Sequence, residues 1–269
     1  MAPRRRRLVA GDGTGLAIEE EGAGRPVVLV PGLGYAAWSW AMQRSAVAQV
    51  GRALVLDNRG SGRSDKPPAP YSIGRMAADV ADVIEDAGGG PAVVVGASMG
   101  GCIALTLALA RPDLVRSLVL ISTSIGGPDS VPLPEETRSA WLAAAHLPPE
   151  EYARATMPLS FAPGWTDDHP EQFEALLAAR LEHPTPAEAW KAQYDACEAF
   201  LAEGLSDREI TVPTWVAHGV KDRIVPFENA EVTCRRISQA ELVEMGCGHL
   251  CAQERSHLVN RMLVEAAER

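Results

Sequence analysis

VVVGASMGG, residues 93–101, runs three valines into Gly96-x-Ser98-x-Gly100, with Gly101 directly behind. An apolar run that ends on a serine hemmed in by small residues predicts a buried strand turning sharply into a helix. The residue at such a turn is held in a strained conformation, and only small neighbours let the two backbones approach closely. The turn would push Ser98 out into a site. The alternative is a glycine-rich strand-to-helix turn whose serine only caps the helix. The rest of the chain has to separate the two.

Outward from this stretch, short apolar runs recur: LAIEEEG (16–22), PVVLVPG (26–32), ALVLDN (53–58), AVVVG (92–96), SLVLIST (117–123), PTWVAHG (213–219) and ELVEMG (241–246). They are too apolar to alternate, so they fit strands buried on both faces, with helical stretches as crossovers of a parallel sheet. The segment SMGGCIALTLALARPD, 98–113, reads as one such helix, with Pro112 as its stop signal. The fold class is α/β. From 126 to 211 the rhythm breaks: GGPDSVPLPEE opens a proline-rich stretch without strand-like runs, followed by helical PEQFEALLAARLEH and PAEAWKAQYDACEAFLAEG. An all-helical insertion between two parallel strands would lie over their carboxyl ends, where ligands bind in open α/β sheets. The expected division is therefore a core of residues 1–125 and 212–269 with a helical cap over 126–211.

A nucleophilic serine needs a base to take its proton and an acid to orient that base. WVAHGVKDRIVP puts Asp222 just beyond one strand-like run, and LVEMGCGHL puts His249 in a glycine-flanked loop after the last. Ser98, Asp222 and His249 thus fall at carboxyl ends of strands, in the chain order expected for a nucleophile at a strand-to-helix elbow. Taken singly, Asp222 also fits a turn aspartate and His249 a surface-loop histidine; Asp129 is the rival acid, lying among prolines. His218 is expected to pack at its strand end, His257 lies on the last helix, and His146, His169 and His183 fall in the insertion. Attack on a carbonyl builds an oxyanion that two backbone N–H groups must meet. Met99, at the start of its helix, is one candidate, and Leu33, in PGLGYAAW after VVLV, is the other.

Composition bounds the rest. The 269 residues, 46% hydrophobic, suffice for one large domain with an insertion. A net charge of −10 argues against nucleic acid or an anionic membrane as partner. The basic run Arg4–Arg7 has no apolar stretch after it, so it reads as a frayed terminus and not a secretory signal. No apolar run approaches the roughly 18 residues needed to span a bilayer. Five scattered cysteines, Cys102, Cys197, Cys234, Cys247 and Cys251, predict free thiols and a cytoplasmic protein. CGHLC, 247–251, lacks the second ligand pair of a zinc site, so no metal is expected. Cys247 and Cys251 flank His249, where a thiol reagent would obstruct the base.

PGLG, DNRGSGRSDKP, GASMGG, HGVKDRIVP and GCGHL, in this order and across most of the chain, resemble the α/β-hydrolase fold family in its capped, non-lipase branch. The stretch DNRGSGRSDKPPAPYSI followed by GASMGG is most similar to 3-oxoadipate enol-lactonase-like and related small-ester hydrolases. The resemblance implies a mostly parallel twisted sheet flanked by helices, Ser98 as nucleophile, His249 as base, Asp222 as orienting acid, Leu33 and Met99 as oxyanion donors, and no cofactor. DNRGSGRS is then a structural loop; it lacks the Gly-Lys-Ser/Thr ending of a phosphate-binding loop. Where many members carry His-Gly before the oxyanion residue, this chain has Pro31-Gly32. A serine nucleophile disfavours the aspartate-dependent dehalogenases and epoxide hydrolases. The expected protein is a serine hydrolase of a small to medium, mostly apolar ester or lactone, acting as a monomer or homodimer on a small-molecule substrate. Trp38, Trp141, Phe161, Trp165, Trp190 and Tyr194 are candidates for the pocket wall. An acyl transfer or a carboxylate elimination on the same triad is the alternative, and a ligand receptor without turnover the third.

Overall fold

The computed structural model describes residues 3–269. Strands β1 (Arg4–Val9), β2 (Gly15–Gly22) and β3 (Pro26–Val30) precede helix α1 (Ala41–Val47). Strand and helix then alternate through β4 (Arg52–Leu56), α2 (Ile73–Asp86), β5 (Ala92–Ala97), α3 (Met99–Ala110) and β6 (Val115–Ile121). Five helices follow without a strand: α4 (Glu135–Ala144), α5 (Pro149–Thr156), the single turn α6 (Trp165–Asp168), α7 (Pro170–Glu182) and α8 (Ala187–Glu203). The chain returns to the sheet with β7 (Thr214–Gly219), α9 (Glu228–Arg236) and β8 (Ala240–Met245), and ends in the one-turn α10 (Cys251–Glu254) and α11 (Ser256–Glu268).

The eight strands form one sheet in the order β1-β2-β4-β3-β5-β6-β7-β8, parallel from β4 to β8 and antiparallel where β2 meets β1 and β4. The unbroken apolar runs of the central strands follow from coverage on both faces. Val28, Leu54, Val94 and Leu118 point to one side, against Met76 and Val80 of α2 and Ile103 of α3. Their neighbours Val27, Val55, Val93 and Val119 point to the other, against Val47 of α1 and Leu263 of α11. Full burial of each such side chain contributes about 1.5–3 kcal/mol, which is why sheet and helices stay in register. α3 follows β5 directly and is buried nearly all round.

The helices between β6 and β7 carry their own small core of Met157, Phe161, Trp165, Phe173 and Leu177. They dock onto the loops at the carboxyl ends of the strands. The wholly buried Gln193 of α8 donates to Arg59 O at 2.8 Å and Ser61 Oγ at 2.9 Å. Its Oε1 accepts from Gly34 N at 2.9 Å. Among the described residues no helix is long and apolar enough to cross a membrane.

Two expectations are corrected. The basic run is not a frayed end but strand β1, because Arg5 lies directly opposite Glu19 of β2 and pairs with it at 3.0 Å, while Arg6, opposite Ile18, reaches the diagonal Glu20 at 2.9 Å. Opposite charges facing across two strands stabilise the pair, and charges on the outer strand keep the sheet edge from pairing further. At the other edge β8 is not buried on both faces: Leu242 is 37% exposed, since only β7 pairs with it.

Candidate active site

Ser98 sits between β5 and α3 with φ 53° and ψ −123°, a conformation a residue with a Cβ adopts only under strain, of order 1–3 kcal/mol. The neighbouring glycines explain how the turn closes. A Cβ on Gly96 would collide with the Gly100 carbonyl, one on Gly100 with the Val30 carbonyl, and one on Gly101 with the Thr123 side chain. Ser98 N donates to Ile121 O at 2.9 Å and Thr123 Oγ1 donates to Ser98 O at 2.8 Å, so the backbone is tied to β6 while the side chain is left for the cavity.

Asp222 follows β7, and its carboxylate is wholly buried. Oδ2 accepts from His249 Nδ1 at 2.8 Å, and Oδ1 accepts from Ile224 N at 2.8 Å and Val225 N at 3.0 Å. Burial opposes ionisation of Asp222, but the charge of His249 and hydrogen bonds from His218 and His249 outweigh it and hold the carboxyl at about 2. His218 does more than pack at its strand end: its Nε2 lies 3.3 Å from Asp222 Oδ2 and 2.9 Å from Val225 O. Its position four residues before Asp222 in HGVKD was the one signal for that contact.

His249 lies in the loop after β8. Gly248 N, beside it, donates to the buried Glu254 Oε1 at 2.8 Å, and Ala162 N of the insertion donates to the same oxygen at 3.1 Å. Burial pushes the Glu254 carboxyl up despite these donors. A Cβ on Gly248 would collide with the backbone of Phe161 and Ala162, so a glycine is required for this close approach. Ser98 and His249 line the same cavity and are not joined by a hydrogen bond. Bonds between nucleophile and base commonly tighten only when substrate binds.

Met99 opens α3, where the first N–H groups have no partner within the helix, and it lines the cavity together with Leu33. With Pro31-Gly32 in place of His-Gly, the Leu33 loop is held from outside. Asn58 Nδ2 donates to Pro31 O at 2.9 Å, Ala37 N donates to Asp57 Oδ1 at 2.6 Å, and Gln193 takes Gly34 N. Asp57 Oδ2 accepts from Arg63 N at 2.8 Å, so the DNRGSGR loop braces the Leu33 loop from beneath.

The cavity has a volume of about 380 Å³. Of the six aromatic candidates, Trp141, Trp190 and Tyr194 line it, whereas Trp38, Phe161 and Trp165 do not. Phe161 is fully buried and stacks on Trp165 at 4.3 Å between centroids, inside the insertion's own core. Trp38 leans on Tyr35 at 5.2 Å and packs against that same core. Tyr35, Trp40 and Tyr152 line the wall instead, with Arg138, Arg180 and Glu198 set into it. Cys247 and Cys251 do not open to the site. Both are wholly buried, 3.3 Å apart at Sγ, and the Cys251 contact followed by burial pushes the Cys247 thiol far up.

Residues 25–254 match the family described as the alpha/beta hydrolase fold. A protein of Azorhizobium caulinodans named as a carbamate hydrolase, RutD, is 31% identical over 257 residues, which cover 94% of this chain and 95% of that one. Among solved structures, a thermophilic esterase from Thermogutta terrifontis superposes with a TM-score of 0.81 at 30% identity, covering 97% of each chain. The enol-lactonase of Burkholderia xenovorans superposes with a TM-score of 0.84 over 98% of this chain and 100% of its own; at 24% identity it shares the fold.

Proposed function

The chain belongs to the α/β-hydrolase family and is a hydrolase, and from that premise we propose that it cleaves a carboxylic ester or lactone through an acyl-enzyme on Ser98. The observation that carries this reading is the buried Asp222–His249 pair, whose His249 lines one cavity of about 380 Å³ together with Ser98. Ser98 Oγ attacks the carbonyl carbon while its proton passes to His249 Nε2, the ring nitrogen opposite the one held by Asp222. The carbonyl oxygen takes up the negative charge and is met by the N–H groups of Met99 and Leu33. The His249 proton then leaves with the alkoxide as alcohol. Water, deprotonated by His249, releases the acid and restores Ser98, so that ester and water give acid and alcohol.

Residues 126–211 serve in this reading as a cap over a core of 1–125 and 212–269. The aromatic wall suits a small, mostly apolar substrate, and the five free thiols fit a cytoplasmic setting. A carbamate is the second reading, favoured by the 31% identity to the relative named for that activity; it forms the same kind of tetrahedral intermediate.

A fluorophosphonate should form one adduct, at Ser98, located by peptide mass spectrometry. Turnover of an ester in oxygen-18 water should then place one heavy oxygen in the released acid. An unlabelled acid with an alkene in the partner fragment would point to elimination. No adduct and no turnover across an ester and carbamate panel would leave a ligand receptor.

A further inference from the structure

Cys102 and Cys197 lie far apart in the chain, on the two sides of the seam between sheet and insertion, and both line the cavity. Cys102 is in the first turn of α3, just beyond Ser98, and Cys197 is in α8, which packs against α3. Cys102 Sγ lies 3.7 Å from Thr123 Oγ1 and 3.6 Å from Ser124 O, in the loop after β6. The same loop runs along the end of α8: Gly127 N donates to Leu201 O at 2.8 Å, and Leu205 N donates to Ile125 O at 2.8 Å. Leu201 stands one helical turn beyond Cys197 and lines the cavity with it, so both project from one face of α8. There the Cys197 thiol meets that of Cys102 in a hydrogen-bonding contact.

The contact is asymmetric. The hydrogen bond with Cys197 lowers the Cys102 thiol against the opposing effect of burial, with help from Thr123, and the same bond followed by burial raises Cys197. The unpaired N–H groups of a helix's first turn also favour a thiolate. Cys102 is thus the better nucleophile of the pair, and Cys197 keeps its proton. Cys197 is partly exposed, and the cavity is the route to both sulfurs. Cys247 and Cys251 also touch, at 3.3 Å, but both are wholly buried away from the cavity and the Cys247 thiol is held far up.

We propose that Cys102 and Cys197 form a reversible disulfide that ties the helical insertion to α3 beside Ser98, making the cavity wall responsive to hydroperoxides. The Cys102 thiolate attacks the outer oxygen of the hydroperoxide, the O–O bond breaks, and the departing oxygen takes a proton and leaves as alcohol or water. The Cys197 sulfur then displaces the hydroxyl of the Cys102 sulfenic acid, which leaves as water with the Cys197 proton. Two thiols are oxidised to one disulfide, and one hydroperoxide is reduced. The bond draws α8, with Trp190 and Tyr194 of the wall, against α3 and narrows the cavity. In a reducing setting such a bond is transient, so the pair acts as a sensor and not as a staple.

The test treats the reduced protein with hydrogen peroxide, alkylates the remaining thiols in denaturant and maps the unreduced digest by mass spectrometry. A linked peptide pair joining Cys102 to Cys197 is expected, and dithiothreitol should abolish it. The bridged protein should unfold at a higher urea concentration than the reduced one, because closing a long loop restricts the unfolded chain. In Cys197→Ser, its fold checked by circular dichroism, oxidation should stop at the Cys102 sulfenic acid, trapped by dimedone, with no rise in the urea midpoint. For an ester that the reduced protein turns over, kcat/KM should fall roughly tenfold in the bridged protein and return with dithiothreitol. Recovery of Cys102 and Cys197 without a bond between them overturns the proposal, and so does a bridge that leaves kcat/KM unchanged. If no ester is turned over at all, the hydrolase reading of this substrate class fails, and the peptide map with the urea midpoint still decides the bridge.

Discussion

Asp222 is a buried carboxylate that remains charged because the charge of His249 and hydrogen bonds from His218 and His249 outweigh its loss of water. In the proposed mechanism its charge fixes the tautomer of His249 and stabilises the imidazolium. Asp222→Asn keeps the shape and removes that charge, so turnover should fall by roughly three to four orders of magnitude while circular dichroism stays unchanged. Activity within tenfold of wild type would move the acid elsewhere, with Asp129 next. The same group makes stability pH-dependent. Its folded value of about 2 lies below its unfolded value of 3.8, so the contribution, roughly 2 kcal/mol, is fully present above about pH 4 and is lost as the pH falls towards 2. Urea unfolding across pH 5 to 2 should show a shallower decline in Asp222→Asn than in wild type. Equal slopes would mean that Asp222 is not the group held low.

Two side chains far apart in the chain join the helical insertion to the loops that carry Leu33 and His249. Gln193 takes the Gly34 amide of the Leu33 loop and donates to Arg59 and Ser61 in the loop beneath it. Gln193→Ala leaves Gly34 N and Arg59 O without that partner, while Ser61 Oγ keeps Thr185 at 3.1 Å, which should lower stability by about 1–3 kcal/mol and cut kcat/KM more than a distant destabilising substitution does. Glu254 links the His249 loop to the insertion by accepting from both Gly248 and Ala162. Its raised pKa means that the folded protein favours the protonated form, so its contribution is present at low pH and is lost as the pH rises above its ordinary value of 4.5. Glu254→Gln keeps the acceptor oxygen without the buried charge. It should be at least as stable as wild type at pH 8, whereas Glu254→Ala should lose about 1–3 kcal/mol; both are read by urea denaturation. A Glu254→Gln variant as unstable as Glu254→Ala would show that the charge itself is needed.

In the whole molecule the two sheet faces bury three of the five thiols, Cys102, Cys247 and Cys251, while Cys197 and Cys234 are partly exposed. Cys247 and Cys251 should therefore resist a thiol reagent in the native protein while Cys234 reacts, and all five should titrate in denaturant; fast native labelling of Cys247 would contradict the packing around His249. The central strands, the elbow at Ser98 and the order Ser98, Asp222, His249 were legible in the chain. Each depends on a few consecutive residues: a strand buried on both faces must be apolar without interruption, and a sharp turn out of it must be made of small residues. The strand at Arg4–Val9, the His218 contact on Asp222 and the division of the aromatics between wall and core were not legible. Trp38 and Trp40 stand two residues apart, with nothing local to distinguish Trp40, which lines the cavity, from Trp38, which does not. That choice belongs to packing between the helical insertion and loops up to about 160 residues away, as where Gln193 meets Gly34 across a separation of 159. The sequence by itself determined the sheet and the strand ends at which chemistry can occur, because secondary structure and tight turns answer to neighbouring residues. Which side chains line the cavity only the tertiary structure decided, because burial is set by groups that meet only after the chain has folded.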